Sequence, residues 1–434
     1  MLGALHAVYA DSATWSTNPT NGDWNNRANW TPPTIPNGPG DVATFALSNQ
    51  TDVSISAVTE VNSITFGPGA SAFMITLTPT SELTLSGMGA VNSSAVIQNV
   101  AGMTDNSGNA SVLRFTGTAT AGDSTTIYTN EGARLVNPPG ALIQFEENST
   151  AGAAQFINFG STDLFATGGL IKFTENSTAG NGTFTNTADS QHDGQYSQIE
   201  FHDNATAGDG TFTNEVNGIY GLGGIISFFD STTADHATFT NDAAFASGVW
   251  FYDNSTAGNA TIVNEGGNYY TSSGITYFLG TSTAGNGLFI ANGALWDGEF
   301  GNGFVDFYES SKAGNGTFVA NGGQVSGADG GAIRVENSAT AENGTFYANG
   351  ATVSGAFGGR VSFYFDANAS AAILIAKGGV GIGEGEGGGI QFYNNSVGAR
   401  ARVQLFGNGF LDVRGHATPE LSIGSLEGDG LVFL

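Results

Sequence analysis

The chain repeats one motif about every 28 residues, and this repeat restricts the folds it can adopt more than any other feature. Residues 173–186 read FTENSTAGNGTFTN, residues 201–214 read FHDNATAGDGTFTN, and residues 251–264 read FYDNSTAGNATIVN. Aligned on the Ala of STAG, the copies follow one another at intervals of 23 to 30 residues. The aligned anchor residues are Ala121, Ala151, Ala179, Ala207, Ala234, Ala257, Ala284, Ala313, Ala341, Ala371 and Gly398. Such a period is typical of a solenoid, in which each copy adds one coil.

Two apolar columns stand before the anchor of nearly every copy. Eight positions upstream they are Ile143, Ile171, Ile199, Ile226, Val249, Thr276, Val305, Ile333, Phe363 and Ile390. Six positions upstream they are Phe145, Phe173, Phe201, Phe228, Phe251, Phe278, Phe307, Val335, Phe365 and Phe392. Apolar residues separated by one position indicate a strand with one buried face.

A second strand follows the anchor in each coil. Its buried column is Phe184, Phe212, Phe239, Ile262, Phe289, Phe318 and Phe346. Equivalent strands recur in the same direction one coil later, so they pair in parallel and stack equivalent side chains about 4.8 Å apart. The sequence therefore predicts an all-β fold, a parallel β-helix, and the rule for parallel crossovers makes it right-handed. The alternative, an antiparallel sandwich, requires no such fixed repeat.

Glycines stand before nearly every first strand. They are Gly168, Gly169, Gly223, Gly224, Gly248, Gly274, Gly303, Gly330, Gly331, Gly358, Gly359, Gly388 and Gly389. We predict coil corners at these positions, with glycine supplying the positive φ angles of tight bends.

The ends of the chain differ from the repeats. Residues 1–10 end in Val8-Tyr9-Ala10 and are interpreted as the remnant of a secretory signal peptide; a short disordered terminus is the alternative. Residues 11–95 are predicted to form an N-terminal cap and the first coils. Residues 96–434 are predicted to form the β-helix repeats, and their ending on an alternating strand predicts a chain truncated at its C-terminus.

Three tryptophans mark the predicted cap. Trp15, Trp24 and Trp30 lie within sixteen residues, among turn-forming residues. Large aromatic side chains there are suited to covering the open end of a solenoid core. Carbohydrate recognition by these tryptophans is the functional alternative.

The net negative charge of the chain restricts the molecules it can bind. The chain has no Cys and a formal net charge of −27, and between Lys172 and Lys312 it has 16 Asp and Glu but no Lys or Arg. Such a surface repels phosphate backbones and anionic lipid headgroups, so nucleic acid is not an expected partner. No run of 18 apolar residues is present, so no helical membrane span is predicted.

An acidic residue recurs four positions before the anchor. The row contains Glu147, Glu175, Asp203, Asp230, Asp253 and Glu309. Stacked carboxylates suit Ca²⁺ chemically, but an acid beside an Asn is a common turn former, and we favour that structural role. The neighbouring column, Asn148, Asn176, Asn204 and Asn254, is predicted to form an amide ladder.

Motifs for catalysis are lacking. The five His residues show no metal-binding spacing, and no GxSxG motif occurs. We predict no catalytic residues, no metal and no cofactor. A polysaccharide lyase or glycosidase on a β-helix is the alternative, although a polyanion lyase needs basic residues. Arg334 and Arg360 are the only two arginines predicted to lie close together on strands, in adjacent coils.

The repeats of the STAGNGTFTN type, the DWNNRANW opening and the SIGSLEGDGLVFL ending resemble bacterial autotransporter passenger domains with autotransporter-associated β-strand repeats. The resemblance covers the chain from about Trp15 to Leu434. It implies a β-helical passenger exported through a C-terminal β-barrel in the outer membrane; the barrel is not in this sequence. Such passengers serve adhesion, aggregation or, in some cases, enzymatic activity.

Strand parity provides the candidate binding site. Positions seven and five before the anchor alternate with the buried columns and point outward. Several of these positions are aromatic and are flanked by Glu200 and Asp306, and the predicted binding residues are Phe229, Trp250, Tyr252, Tyr277 and Tyr308. We predict that this exposed strip contacts a surface glycan, a protein partner or another copy of the chain; β-propensity alone is the alternative. The predicted function is a secreted or cell-surface adhesin or structural stalk.

Overall fold

A computed structural model describes residues 12–134, 139–163, 166–187, 196–215, 223–243, 247–267, 273–298, 301–381, 385–418 and 420–434. The chain divides into two compact units, Met1–Phe184 and Thr185–Leu434. Both are parallel β-solenoids with about 28 residues per turn, and the described residues make about 13 turns. The predicted all-β, parallel β-helical fold is confirmed. The predicted signal-peptide remnant, residues 1–10, lies outside the described residues.

The first unit contains two parallel sheets, one formed by the first strands of the coils and one by the second strands. Its first sheet contains Ala13–Trp15, Trp30–Thr31, Gly38–Phe45, Thr59–Phe66, Glu82–Asn92, Val112–Phe115, Leu142–Phe145 and Leu170–Phe173. Its second sheet contains Asp52–Ile55, Met74–Leu77, Gln98–Gly102, Thr126–Asn130 and Gln155–Phe159. Trp30–Thr31 pairs antiparallel to the first strand, and a 3-10 helix, Arg27–Asn29, precedes it.

The second unit repeats this arrangement. Its first sheet contains Gln198–Phe201, Ile225–Phe228, Ser247–Phe251, Gly274–Phe278, Phe304–Phe307, Ala332–Val335, Arg360–Phe363, Gly389–Phe392, Phe410–Asp412 and Leu431–Phe433. Its second sheet contains Thr211–Glu215, Thr238–Asn241, Thr261–Asn264, Leu288–Ala291, Thr317–Ala320, Thr345–Ala348, Ile373–Ala376, Arg402–Leu405 and Ser425–Gly428. The strand Thr183–Thr187 contains the boundary between the units.

The three N-terminal tryptophans are buried in the first unit. Trp15 Nε1 donates to the carbonyl oxygen of Gln50 at 3.0 Å, and Trp30 Nε1 donates to that of Trp24 at 2.7 Å. The rings of Trp24 and Trp30 pack edge to face at 4.8 Å. All three rings pack against Phe45, and the alternative that they form a carbohydrate platform is wrong because no ring face is free.

The buried phenylalanines form the predicted stacks. In the second unit the ring centroids of Phe201 and Phe228 lie 4.6 Å apart, with 2° between the planes. The stack continues through Phe251, Phe278 and Phe307 at 4.8, 4.8 and 4.6 Å. These distances match the spacing of paired strands, so each ring lies directly on its equivalent in the next coil.

One coil has a different register from the predicted one. Phe363 pairs with Val335 of the preceding coil, and Phe365 is 51% exposed in a turn with a φ of 58°. The anchor of this coil is therefore Ala369 instead of Ala371. A shift of two residues leaves the alternation within the strand unchanged, so the alternation of apolar residues does not reveal it, and Phe365, predicted to be buried, is exposed.

The glycines before the first strands have another role than the predicted one. None of them has a positive φ, and all lie in described residues. A Cβ on Gly359 would lie 2.1 Å from the carbonyl oxygen of Ala320, and one on Gly331 would lie 2.0 Å from that of Ala291. Glycine is required here because the chain passes directly over the backbone of a preceding strand. The positive φ occurs after the anchor, as at Gly180 with 58°.

Candidate functional site

All five residues of the predicted aromatic strip lie on the outward face of the first sheet in the second unit. Trp250 and Tyr277 are paired residues within the first strands of two successive coils. Phe229, Tyr252 and Tyr308 each follow directly after the buried Phe that ends a first strand. Because side chains alternate across a strand, a residue next to a buried Phe points outward. We keep the name aromatic strip for these five residues.

Ring contacts connect the aromatic strip without a break. Phe229 and Tyr252 stack with 4.9 Å between centroids and 5° between planes. Trp250 lies 6.2 Å from Tyr252 and 5.9 Å from Tyr277, and Tyr277 lies 5.9 Å from Tyr308. All four distances fall within the range of favourable aromatic pairs, about 4.5 to 7 Å.

Each ring of the aromatic strip is half-buried, which is less exposure than strand parity alone predicts. The reason is mutual cover, since each ring packs against the ring of the next coil. The stacked faces of Phe229 and Tyr252 cover each other, so these two rings present their outer edges. The strip is therefore a continuous, pre-packed aromatic surface instead of a set of separate exposed rings.

His202 extends the aromatic strip by one coil, which sequence reasoning missed. Its ring stacks on Phe229 with 4.7 Å between centroids and 14° between planes. Its Nε2 lies 3.0 Å from Oε2 of Glu200, one of the predicted flanking acids. The repeat position of His202 indicates this, because His202 stands five positions before its anchor, as Phe229 does before Ala234.

The tyrosines of the aromatic strip are hydrogen-bond donors at neutral pH. Burial raises the pKa of the Tyr252 phenol to about 12. Burial, followed by the charge of Asp306, also raises the pKa values of Tyr277 and Tyr308. The strip thus combines apolar ring surface with neutral hydroxyl groups.

Asp306, the second predicted flanking acid, lies beneath the aromatic strip and is only 1% exposed. Tyr308 donates its hydroxyl to Oδ2 of Asp306 at 3.3 Å, and Nη1 of Arg334 lies 3.6 Å from the same oxygen. Burial raises the pKa of this carboxyl to about 6, against the opposing effect of the Arg334 charge. Perturbed carboxyls are common in active sites, but a general acid must reach the substrate, and protein covers this one. Its contacts favour a role in positioning Tyr308 and Arg334.

The acidic row forms turns. Glu147, Asp230, Asp253 and Glu309 have φ angles of 54° to 59°. Their carboxylates accept backbone N–H groups from the preceding coil, as in the 3.2 Å bond from the Asp230 N–H to Oδ2 of Asp253. The structural role is confirmed, with the difference that each carboxylate binds a neighbouring coil instead of its own turn. In the part of the chain that the structure describes, no group of three or more His, Cys, Asp or Glu is placed to hold a metal ion.

The predicted amide ladder at Asn148, Asn176, Asn204 and Asn254 is wrong, because within the described residues these side chains make no hydrogen bonds to one another; Asn254 Oδ1 accepts instead from the Thr281 hydroxyl at 2.6 Å. A buried ladder lies instead at the end of the second strands, where Asn214 donates to Asn241 and Asn241 donates to Asn264, each at 2.7 Å. An amide carries donor and acceptor together, so identical stacked residues satisfy one another when water is excluded. A second ladder lies in exposed turns after the anchor, where Asn286 donates to Asn259 at 3.1 Å and Asn315 donates to Asn286 at 3.2 Å.

Comparisons with protein-family models, with curated proteins and with solved structures found no match to the chain. Among the described residues, no helix is long and apolar enough to cross a lipid bilayer.

Proposed function

We propose that the protein is a non-enzymatic binding solenoid of the bacterial cell surface, an adhesin or stalk, and that its aromatic strip contacts a glycan. The observation that supports this is the unbroken series of ring contacts from Phe229 to Tyr308, on the outward face of a rigid sheet. A monomeric protein has no folding requirement for a row of linked aromatic side chains outside its core.

The dimensions of the aromatic strip suit an extended ligand. Its residues come from four successive coils, so it extends over roughly 14 Å at about 4.8 Å per step. The rings of Trp250, Tyr277 and Tyr308 are tilted to one another instead of stacked, which leaves flat ring surface for the C–H faces of sugar rings, and neutral tyrosine hydroxyls bind sugar hydroxyls. The acidic surface around the strip disfavours nucleic acid and anionic membranes as competing ligands.

Export to the cell surface is supported by the resemblance of the repeats to autotransporter passengers. The absence of Cys is compatible with export, since the folded core relies on stacked phenylalanines instead of disulfides. Passage through an outer-membrane barrel is the finer part of this proposal.

The test is a variant carrying Trp250→Ser, Tyr252→Ser and Tyr277→Ser, compared with the parent on glycan arrays. The control carries Phe365→Ser and Phe406→Ser, two exposed phenylalanines of the same unit outside the strip. We expect the strip variant to lose glycan binding while the control keeps it, with both retaining the far-UV spectrum of the parent.

Other outcomes identify other functions. Equal binding by parent and strip variant would remove this face as the site. Loss of self-association in the strip variant, without any glycan binding by the parent, would make the strip an interface between copies of the chain. Shortening of a bound polysaccharide by the parent would support the enzymatic alternative.

A further inference from the structure

A groove of about 380 Å³ continues the outward face of the first sheet beyond the aromatic strip. Its floor is formed by Arg334, Ser362 and Gln391, which are paired residues on three successive first strands. Asp329 and Phe357 line its walls. The volume lies within the range of small-ligand sites, about 300 to 1,000 Å³. We call this the Arg334 groove.

The two arginines that line the Arg334 groove have different roles. The Arg360 guanidinium donates to the carbonyl oxygens of Gly358 at 2.7 Å, Gly385 at 2.8 Å and Gly387 at 3.0 Å, and it lies over the Phe410 ring. Its donors are therefore used to hold the surrounding loops in place. Arg360 builds the wall of the groove.

Arg334, in contrast, keeps its donors free. Its guanidinium lies over the Phe304 ring at 4.9 Å, and its nearest acid is Asp306 at 3.6 Å, too far for a hydrogen bond. Within the described part of the chain none of its five N–H groups makes a hydrogen bond. The side chain is 35% exposed, so a ligand in the groove can reach it. A planar guanidinium with free donors is suited to binding a carboxylate through two parallel hydrogen bonds.

Neutral groups next to Arg334 suit hydroxyl groups. Ser362 Oγ donates to Oε1 of Gln391 at 3.1 Å, which leaves the amide nitrogen of Gln391 with its two donors. Tyr364 also lines the groove, and its ring stacks on Tyr393 at 4.7 Å, with 3° between the planes. An aromatic wall next to a polar floor is the composition expected for a sugar site.

The acids in and around the groove limit the charge of its ligand. Asp329 lines the same groove, and the chain carries a net charge of −27. A densely charged polyanion would be repelled, whereas a sugar with one carboxylate places that group at Arg334 and neutral hydroxyls elsewhere.

We propose that the Arg334 groove binds a uronic acid residue, through its carboxylate, and that the glycan bound by the aromatic strip is therefore an acidic one. The part that concerns the polymer rests on the proposed function of the strip. The groove itself does not depend on the strip, since it has its own floor and walls.

The experiment measures binding of a uronic acid oligosaccharide and of its methyl ester, which has the same shape without the charges. We expect the parent to prefer the free acid by at least about tenfold, and Arg334→Gln to bind both alike. Arg400→Gln is the control, because it removes the same charge from an exposed position. Arg334→Gln combined with Asp306→Asn removes both charges of the ion pair, so the buried Asp306 is not left without its partner, and tests the same loss of preference if the single variant is unstable.

The outcomes separate the two proposals. Equal binding of acid and ester by the parent overturns the carboxylate site, whatever the aromatic strip does. A preference for the acid that disappears in Arg334→Gln and persists in the strip variant supports the groove and contradicts the strip as the glycan site. If Arg334→Gln and Arg400→Gln lose the preference for the free acid equally, the preference comes from the overall charge of the protein and not from a specific site. Binding of a sulfated neutral sugar as tight as that of the uronic acid would overturn the choice of carboxylate.

Discussion

At the scale of single residues, acidic side chains that are alike in the sequence have different environments. Asp253 and Asp306 both lie close to the aromatic strip, but Asp253 is exposed in a turn and Asp306 is buried. Strand parity predicted an outward direction for Asp306 correctly, since it pairs with Tyr277. It did not predict the burial, because cover by neighbouring tyrosines depends on how the coils pack.

The burial of Asp306 predicts a specific dependence of stability on pH. Its pKa rises from 3.8 to about 6 on folding, so the folded state binds this proton more tightly than the unfolded state. The resulting stabilisation is present below pH 3.8 and is lost as the pH rises to about 6. The free energy of unfolding falls by at most about 3 kcal/mol over this interval. Asp306→Asn should flatten this part of the curve of unfolding free energy against pH, measured by urea titration. An unchanged slope in Asp306→Asn would contradict the prediction.

At the scale of elements, the sequence predicted the strands well. It gave the wrong reason for the glycines before the first strands. Alternation of apolar residues indicates which side of a strand is buried, but it does not show where the strand ends: Phe365 was predicted to be buried and lies exposed in the turn after the strand Arg360–Phe363. A glycine in a sequence does not report whether it is needed for its φ angle or for close approach of another chain segment. Gly359 is needed for close approach, which only the positions of Ala320 and its carbonyl group show.

Gly359→Ala is expected to destabilise the second unit by about 3 kcal/mol or more, because its Cβ would lie 2.1 Å from a backbone oxygen that cannot move without its strand. Gly67→Ala is the matched control. Its nearest contact would be 3.6 Å away, and we expect a change within about 0.5 kcal/mol. Chemical denaturation of both variants measures the difference, and equal effects would show that close approach is not what requires glycine.

The acidic row gives a second prediction for the turns. Its carboxylates accept backbone N–H groups of the preceding coil, so the turns need no bound cation. Addition of EDTA should leave the Tm unchanged, and Asp253→Ala should lower it because the N–H of Asp230 loses its acceptor. A fall in Tm with EDTA that Ca²⁺ reverses would show that a cation binds the native state.

At the scale of the whole molecule, the period of the repeat together with the alternation of apolar residues in each copy was enough to predict a parallel β-solenoid, because equivalent strands in successive coils satisfy both. The candidate site was predicted in part. The aromatic strip follows from strand parity, whereas the Arg334 groove requires loops that bring Asp329 and Phe357 over the sheet. Loops of this kind carry no periodic signal, so their positions cannot be read from the repeat.

A solenoid coil contacts mainly its neighbours, so a core defect should stay local. Phe228 lies between Phe201 and Phe251 in the internal stack, at 4.6 and 4.8 Å. Phe228→Ala is therefore expected to cost about 3 to 5 kcal/mol in those coils. Phe365→Ala, which removes the same atoms from an exposed turn, should have little effect.

Hydrogen exchange measures this locally, which matters because a long repeat array does not unfold in one step. In Phe228→Ala, amides of the strands Gln198–Phe201, Ile225–Phe228 and Ser247–Phe251 should lose protection. Amides of Gly389–Phe392, in the same unit but several coils away, should keep the protection they have in the parent. Loss of protection to the same extent in both groups would mean that the unit unfolds as a whole, and that stability in this solenoid is not the sum of contacts between neighbouring coils.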